Sequence, residues 1–188
     1  MTAKKLLTIV ICSGLPAFAD VFYVDPATSD VTVGQSFTLD VDVSGATDLY
    51  GYQFDLGFDP SILQATTITE GGFLTGVGAT TFFPGSIDNV GGDISFNADI
   101  LNGAASGAAG SGVLITFGFT AIGSGSSSVD IFNVTALNSF GEGLTVDTNG
   151  GTVDVTTSAV PEPATTFPLL VAILGLGAVS IVRRRRTA

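Results

Sequence analysis

The chain has 188 residues, 45% of them hydrophobic, and a formal net charge of −11 with no histidine. Its six basic residues are Lys4, Lys5 and residues 183–186, so residues 20–159 contain no Lys or Arg. The same region carries sixteen of the 17 carboxylates, all except Glu162. This composition excludes nucleic-acid binding, which depends on Lys and Arg. It also excludes Ser-His-Asp triads, His-ligated metal sites, Schiff bases and phosphate clamps within that region.

The N-terminal segment has the three parts of a secretory signal peptide. These are the basic pair Lys4 and Lys5, the apolar residues 6–12, and the small-x-small cleavage site Ala17-Phe18-Ala19. The apolar run is too short to span a bilayer, which disfavours an anchor helix. We therefore expect residues 1–19 to be removed and Asp20 to begin the mature chain. Their removal also takes away Cys12, the only cysteine, so the mature chain has no disulfide.

Residues 20–157 alternate between apolar and polar side chains in short runs separated by turn formers, which predicts strands with one buried and one exposed face. The main runs are 37–43, 53–58, 93–100, 113–121, 129–136 and 152–155, with edge strands near 21–24, 65–69 and 80–83. About nine short strands predict an all-β sandwich or jelly roll.

Two details of this pattern are specific enough to test. In the run 93–100 it assigns Ile94, Phe96, Ala98 and Ile100 to the buried face and Asp93, Ser95, Asn97 and Asp99 to solvent. Residues 102–111, NGAASGAAGS, are predicted to form a flexible loop.

A series of motifs in this region resembles the cohesin domain. It begins with GYQFDLGFDPSIL, in which a strand ends at Asp59-Pro60, and continues with GGDISFNADI, GVLITF at 112–117, and TNGGTVDV. The resemblance covers roughly residues 21–155. It implies a nine-stranded flattened jelly roll, related in shape to certain carbohydrate-binding modules, that binds dockerin modules through one sheet face.

The resemblance places Gly51, Gln53 and Asp55 where family contacts fall, with the strand 93–101 nearby. The alternating pattern alone assigns Gln53 and Asp55 to the solvated half of a strand, which is the favoured interpretation for either residue taken singly. Asp59 and Pro60 are interpreted as folding residues, because Asp caps a turn and Pro ends a strand.

The sequence predicts no enzyme and no catalytic residue. A carboxylate pair is the one catalytic device that the composition allows, but Glu70 and Glu142 lie in separate Gly-flanked loops and nothing indicates that they converge.

Side chains with oxygen ligands also form two clusters in predicted turns. The first is Asp88, Asn89 and Asp93, and the second is Asp147 with Asn149. Neither cluster follows the EF-hand pattern, and turn formation accounts for both. No cofactor and no metal ligand is predicted, and calcium stays unsupported.

The C-terminal tail has three parts. They are Pro161-Glu162-Pro163, the uncharged, mostly apolar run 167–182, and Arg183, Arg184, Arg185 and Arg186. As a helix, residues 164–182 would be about 28 Å long, close to the ~30 Å hydrocarbon core of a bilayer. An arginine cluster stays cytoplasmic and so fixes the orientation of the span. A core helix is disfavoured, because this one is apolar on every side and ends in four arginines.

This tail resembles the PEP-CTERM sorting signal of Gram-negative bacteria. The resemblance implies that an exosortase, a membrane transpeptidase-like enzyme, cleaves near Pro161, Glu162 and Pro163. The transmembrane helix then anchors the protein in the membrane only until cleavage. Delivery would be to the cell envelope, cell surface or exopolysaccharide-associated matrix.

Together these predictions give a signal peptide at 1–19, a cohesin-like β-sandwich at 20–157 and a sorting signal at 158–188. Three functions stay open: binding of a dockerin-like protein, binding of polysaccharide, or a structural matrix role without a discrete ligand. Sugar sites use aromatic platforms, and without Trp the aromatic candidates are Tyr23, Tyr50, Tyr52 and one of Phe82 and Phe83.

Overall fold

A computed structural model describes residues 20–103 and 106–158, which hold twelve strands and one short helix, α1 (Gly72–Thr75). The strands are β1 (Asp20–Asp25), β2 (Thr28–Thr32), β3 (Ser36–Leu49), β4 (Gly51–Gly57), β5 (Leu63–Glu70), β6 (Thr80–Phe83), β7 (Ser86–Asp88), β8 (Asp93–Leu101), β9 (Ala108–Ala121), β10 (Gly125–Leu137), β11 (Val146–Asn149) and β12 (Gly151–Thr156). The predicted signal peptide and C-terminal span lie outside the described residues. In the described part, no helix has the length and apolar character needed to cross a membrane.

The strands form two sheets that pack face to face. Sheet I has five strands in the order β11-β1-β3-β9-β5, and sheet II has the order β2-β12-β10-β4-β8-β6, with β7 also paired to β8. Neighbours are antiparallel except β1 with β11 and β12 with β2. Each strand buries one face because its side chains alternate, and the second sheet covers that face. The all-β sandwich is confirmed.

Aromatic side chains join the two sheets at the centre of the core. Phe54 of β4 packs edge-on against Phe22 of β1 and Phe117 of β9, with ring centroids 6.2 Å apart in both pairs. Phe58 packs in the same way on Phe119 at 5.4 Å. Such pairs add stability beyond the area that they bury, so they fix the spacing and orientation of sheet II on sheet I.

All nine runs predicted from alternation correspond to strands, although the run 53–58 extends one residue beyond β4, and the structure adds β2, β7 and β11. These three strands are short and rich in Thr, Ser and Asp, so they carry no hydrophobic period to detect. The prediction of a loop at 102–111 is wrong at its C-terminal end. Ala108 and Gly110 already pair with Leu49 and Ala46 of β3, because backbone hydrogen bonds do not need large side chains.

Strand β10 pairs with β12 near its first residue and with β4 towards its last residue. Its first residue, Gly125, pairs with Val155 near the end of β12, and its last residue, Leu137, pairs with Gly51 at the start of β4. The last described strand therefore ends beside the start of β10, while the β3–β4 and β10–β11 connections lie beside its finish.

Candidate partner-binding groove

A shallow groove of about 280 Å³ lies on the outer face of sheet II. It crosses the ends of β10, β4, β8 and β6, and its lining residues are Gly51, Tyr52, Gln53, Phe83, Phe96, Ala98, Asp99, Ile100, Thr135 and Leu137. Most of this lining is apolar. We call it the groove.

Two aromatic side chains form one wall of the groove. Phe83 of β6 and Phe96 of β8 meet edge-on with centroids 6.3 Å apart, and both are exposed, Phe96 to 55%. Ile100 forms the floor next to Gly51, where a Cβ would lie 3.0 Å from Ile100 Cγ1. The small residue on β4 therefore leaves the space that the isoleucine fills.

Phe96 has an unusual backbone conformation. Its φ of +59° lies in the left-handed region, which is a genuine outlier for a bulky side chain. The pairing of β4 with β8 is irregular between Phe54 and Leu56, where Leu56 pairs with Ile94 and Phe54 with Asn97. An extra residue of β8 is accommodated here, which is a β-bulge.

The bulge makes the predicted facing of β8 wrong at Phe96, Asn97, Asp99 and Ile100, whereas Ala98 is buried as predicted, although it lines the groove. Asn97 and Asp99 are buried, whereas Phe96 and Ile100 are exposed in the groove. One inserted residue moves every later side chain to the opposite face of the sheet. The interior accepts Asn97 because its Nδ2 donates to the carbonyls of Phe54 and Ile94, at 3.2 and 2.8 Å.

Asp55 holds this bulge and a second one on the other side of β4. Its Oδ1 accepts the backbone N–H of Phe96 at 2.7 Å, and its Oδ2 accepts Nδ2 of Asn133 at 2.7 Å. Asn133 also has a left-handed φ, +52°, at the irregularity of β10 between Phe132 and Thr135. One carboxylate on the central strand thus fixes the shape of both its neighbours.

The three residues predicted to face a partner lie together on the outer side of β4. Gly51 and Gln53 line the groove, and Asp55 lies next to it. We call the two hydrogen bonds of Asp55, to Phe96 and Asn133, the clamp. Their contact with a partner remains a prediction. Phe83 was an aromatic candidate only for a sugar site, and Ile100 was not predicted as a site residue. The sequence carries no periodic signal that would expose Phe96, because the bulge leaves the alternation of residue types unchanged.

The outer face becomes acidic along β4 away from the groove. Gly57 pairs with Asp130 of β10 on one side and Asp93 of β8 on the other, and all three share the outer face. The ring of Phe132 lies over Gly57, since a Cβ there would be 3.3 Å from its Cε1. Sheet II therefore presents an apolar half around Gly51 and an acidic half around Gly57.

A buried carboxyl lies behind the groove. Asp99 is 2% exposed, and burial, followed by the nearby Glu70 carboxylate, raises its pKa to about 6. Its Oδ1 accepts the N–H of Ile100 at 2.8 Å, while Glu70 accepts a hydrogen bond from the Thr80 hydroxyl. The Glu70–Thr80 bond connects the edge strand β5 of sheet I to β6 of sheet II, while the Asp99–Ile100 bond is local to β8.

The tyrosines do not form a shared platform. Tyr52 is 4% exposed, and its hydroxyl donates to the Leu114 carbonyl at 2.9 Å inside the sandwich. Tyr50 donates to the Gly103 carbonyl at one end of the domain, and Tyr23 lies on sheet I opposite Asp42. The three side chains point to three different places.

Most of the turn carboxylates serve local structure. Asp59 Oδ1 accepts the N–H and hydroxyl of Ser61, and Asp88 Oδ1 accepts the N–H groups of Val90 and Gly91. These bonds lower the pKa of both carboxyls, that of Asp59 mainly through the Ser61 hydroxyl and that of Asp88 mainly through Gly91. Asn89 bonds to the backbone of Ala65 at 2.8 and 3.0 Å.

The other predicted ligand cluster is not in a turn. Asp147 and Asn149 belong to strand β11, which pairs in parallel with β1. Within residues 20–103 and 106–158, no three acidic or other metal-binding side chains come together in a way that could hold an ion. The processing residues Pro161, Glu162 and Pro163, the arginines 183–186, and the cleavage site at Ala17 and Ala19 lie outside the described residues.

Comparison with known families agrees with this architecture. The model of the cohesin domain matches residues 23–159. The chain belongs to the cohesin family. A second model, of the PEP-CTERM protein-sorting motif, matches residues 159–186, directly after the cohesin match. This motif marks exported proteins of the Gram-negative cell envelope or surface.

Solved cohesin structures share the fold at low sequence identity. A non-cellulosomal cohesin from the hyperthermophilic archaeon Archaeoglobus fulgidus has a TM-score of 0.60 and 13% identity, over 74% of this chain and 93% of that one. The sixth cohesin of Acetivibrio cellulolyticus scaffoldin B, solved with a Cel5 dockerin mutant, has a TM-score of 0.59 and 16% identity, over 74% and 100%. No curated protein matches the cohesin chain in sequence.

Proposed function

We propose that this cohesin is an exported, non-catalytic recognition module that binds a dockerin-type protein through the groove. The observation that carries the proposal is the groove itself. It is an apolar, preformed surface with an exposed aromatic pair, Phe83 and Phe96. Such rigid aromatic and aliphatic clusters act as the energetic centres of protein interfaces.

A binding measurement with a charge-inserting variant tests this proposal. The full-length chain and its Ile100→Asp variant are titrated with a panel of purified dockerin modules by calorimetry. We expect at least one module to bind and the variant to lose about ten-fold or more in affinity, because it places a charge on the groove floor.

The matched control is Val90→Asp, which makes the same change in charge at a residue exposed to 90% in the turn after β7. It should bind like the wild type. Failure of every dockerin to bind, or an equal loss in both variants, would contradict recognition through the groove.

Export and processing form the second part of the proposal. An exosortase acts on Pro161-Glu162-Pro163 and removes the apolar run and Arg183, Arg184, Arg185 and Arg186, leaving the cohesin at the surface or in the matrix. The family match at 159–186 supports this. Intact-mass measurement of the secreted protein should show loss of the segment after this motif, and recovery of the arginines on the secreted chain would refute it.

A structural matrix role is the second candidate, favoured by the charge. Sixteen carboxylates without a Lys or Arg in residues 20–159 would allow divalent cations to bridge neighbouring molecules. Light scattering of the purified chain on addition of CaCl₂ would detect such bridging. No change in scattering would contradict this structural role.

A further inference from the structure

We infer that the groove takes a basic, amphipathic segment of the partner, and that Phe96 is the anchor of this contact, positioned by Asp55. The inference rests on the proposed function, because it specifies the chemistry of the partner at the same groove. Three observations carry it: the strain at Phe96, the clamp at Asp55, and the distribution of charge.

Burial of the Phe96 side chain does not offset the free-energy cost of its left-handed backbone conformation. A left-handed φ of +59° costs free energy in a side chain with a Cβ, and Phe96 remains 55% exposed in the folded chain. Glycine or asparagine would accept this conformation readily, as Asn133 does in the neighbouring bulge. Strained residues cluster at functional sites. A strained phenylalanine that stays half exposed is therefore placed for contact with another molecule.

Asp55 is a positioning residue for Phe96. Each of its carboxylate oxygens is already engaged, one by the N–H of Phe96 and the other by Asn133 Nδ2, both at 2.7 Å. Hydrogen bonds to an ionised acceptor are stronger than neutral ones. The carboxylate therefore stabilises the bulge that turns the Phe96 ring outward against Phe83.

The negative charge of the domain indicates which kind of partner the groove binds. A second copy of the chain would bring sixteen carboxylates and no Lys or Arg from residues 20–159 against the same set, so self-association through this face is disfavoured. Along β4 the apolar half of the face gives way to Asp93 and Asp130 beside Gly57. The two halves, around Gly51 and Gly57, are six residues and therefore roughly 20 Å apart at the rise of an extended strand.

The partner segment therefore carries an apolar side chain for Phe96, Phe83 and Ile100. It also carries Lys or Arg at a distance of roughly 20 Å, the separation of the two halves of the face.

The test uses display of protein fragments encoded by the source genome, selected on the immobilised full-length chain. The selection is repeated on the Phe96→Gly and Phe96→Asn variants. We expect enriched fragments to combine apolar residues with Lys or Arg, and to bind both variants about ten-fold or more weakly. Raising NaCl from about 50 to about 300 mM should weaken binding to the wild type several-fold.

A second measurement separates binding from folding. Both variants relieve the left-handed strain, so their thermal midpoints should equal or exceed that of the wild type, by up to about 3 °C. A structural role for Phe96 would instead lower the midpoint. Ile122→Ala is the control, since it removes an apolar side chain that is 47% exposed but belongs neither to the groove lining nor to the acidic half around Gly57.

The outcomes distinguish this inference from the function on which it rests. Basic fragments that depend on Phe96 but include no dockerin would support the inference and contradict the dockerin-type partner. Dockerin fragments that bind the wild type and the variants equally would contradict the inference and leave protein recognition intact. Acidic or neutral fragments would refute the charge argument, and the absence of any enriched fragment would count against both.

Discussion

Asp99 shows how a single buried carboxyl can make the stability of this cohesin depend on pH. Its folded pKa of about 6, raised by burial and by Glu70, lies above the usual value near 4 for an exposed Asp. Between these two values the folded chain binds more protons than the unfolded chain. The contribution of Asp99 to the free energy of unfolding is therefore fully present below about pH 4 and declines as the pH rises through about 6.

Replacing Asp99 by Asn should remove this dependence. The amide keeps an acceptor for the Ile100 N–H, offers a donor to Glu70 and never ionises. We expect D99N to match the wild type near pH 4 and to exceed it in free energy of unfolding above about pH 7. Urea denaturation at several pH values measures both curves, and parallel curves for the two proteins would refute the assignment to Asp99.

Tyr52 is a core residue whose hydroxyl links the two sheets. The Leu114 carbonyl that it contacts also accepts the N–H of Gly71 at 2.8 Å, so removal of the hydroxyl leaves that acceptor with a partner. Tyr52→Phe should therefore reduce the free energy of unfolding by only about 1 kcal/mol. Tyr52→Ala should cost about 3–5 kcal/mol through cavity formation. Guanidinium denaturation compares the two variants, and a similar loss in both would contradict this account.

At the scale of secondary structure elements, Asp55 joins three adjacent strands of sheet II. Its two hydrogen bonds hold bulges in β8 and β10 on either side of β4. Loss of both should release the left-handed conformations of Phe96 and Asn133. The positions of the outer-face side chains of both neighbouring strands then depend on one carboxylate.

Asp55→Ala should lower the free energy of unfolding by about 2 kcal/mol, since two charge-assisted bonds are lost. Gln53→Ala serves as the control, because Gln53 is two residues away on the same face of β4 and its side chain makes no hydrogen bond in the described structure. Thermal denaturation should shift only in the Asp55 variant. An amide chemical-shift comparison should show changes confined to the two bulges and their neighbours, and unchanged shifts at Phe96 would contradict the clamp.

Period-two alternation was sufficient to predict nine of the strands, because each buries one face under the opposite sheet. It was also sufficient to place Gln53 and Asp55 on one side of β4, while Gly51 was added by the resemblance to the cohesin domain. It failed at Phe96, since a bulge inserts a residue without altering which residue types alternate. The groove depends on that bulge and on Phe83 from an edge strand, and neither contact is local in sequence.

At the scale of the whole molecule, charge is the dominant feature of the cohesin domain. Sixteen carboxylates lie in residues 20–159 without a Lys or Arg to offset them, so folding brings like charges together. Self-repulsion of this kind destabilises the compact state and is screened by salt.

Added NaCl should therefore stabilise the fold. Between about 50 and about 500 mM, we expect the thermal midpoint to rise by about 5 °C near neutral pH, as the screening length shortens. The rise should shrink near pH 4, where many carboxyls are protonated. Calorimetry at both pH values tests this, and an equal rise at both would indicate a general salting-out effect instead of screened repulsion.

The groove and the end of the last described strand lie at opposite ends of β10. That strand, β12, ends beside Gly125, and the groove lies at Leu137, twelve residues further along β10. At the rise of an extended strand this separation is up to about 40 Å. A partner bound in the groove therefore leaves the residues around the end of β12 accessible.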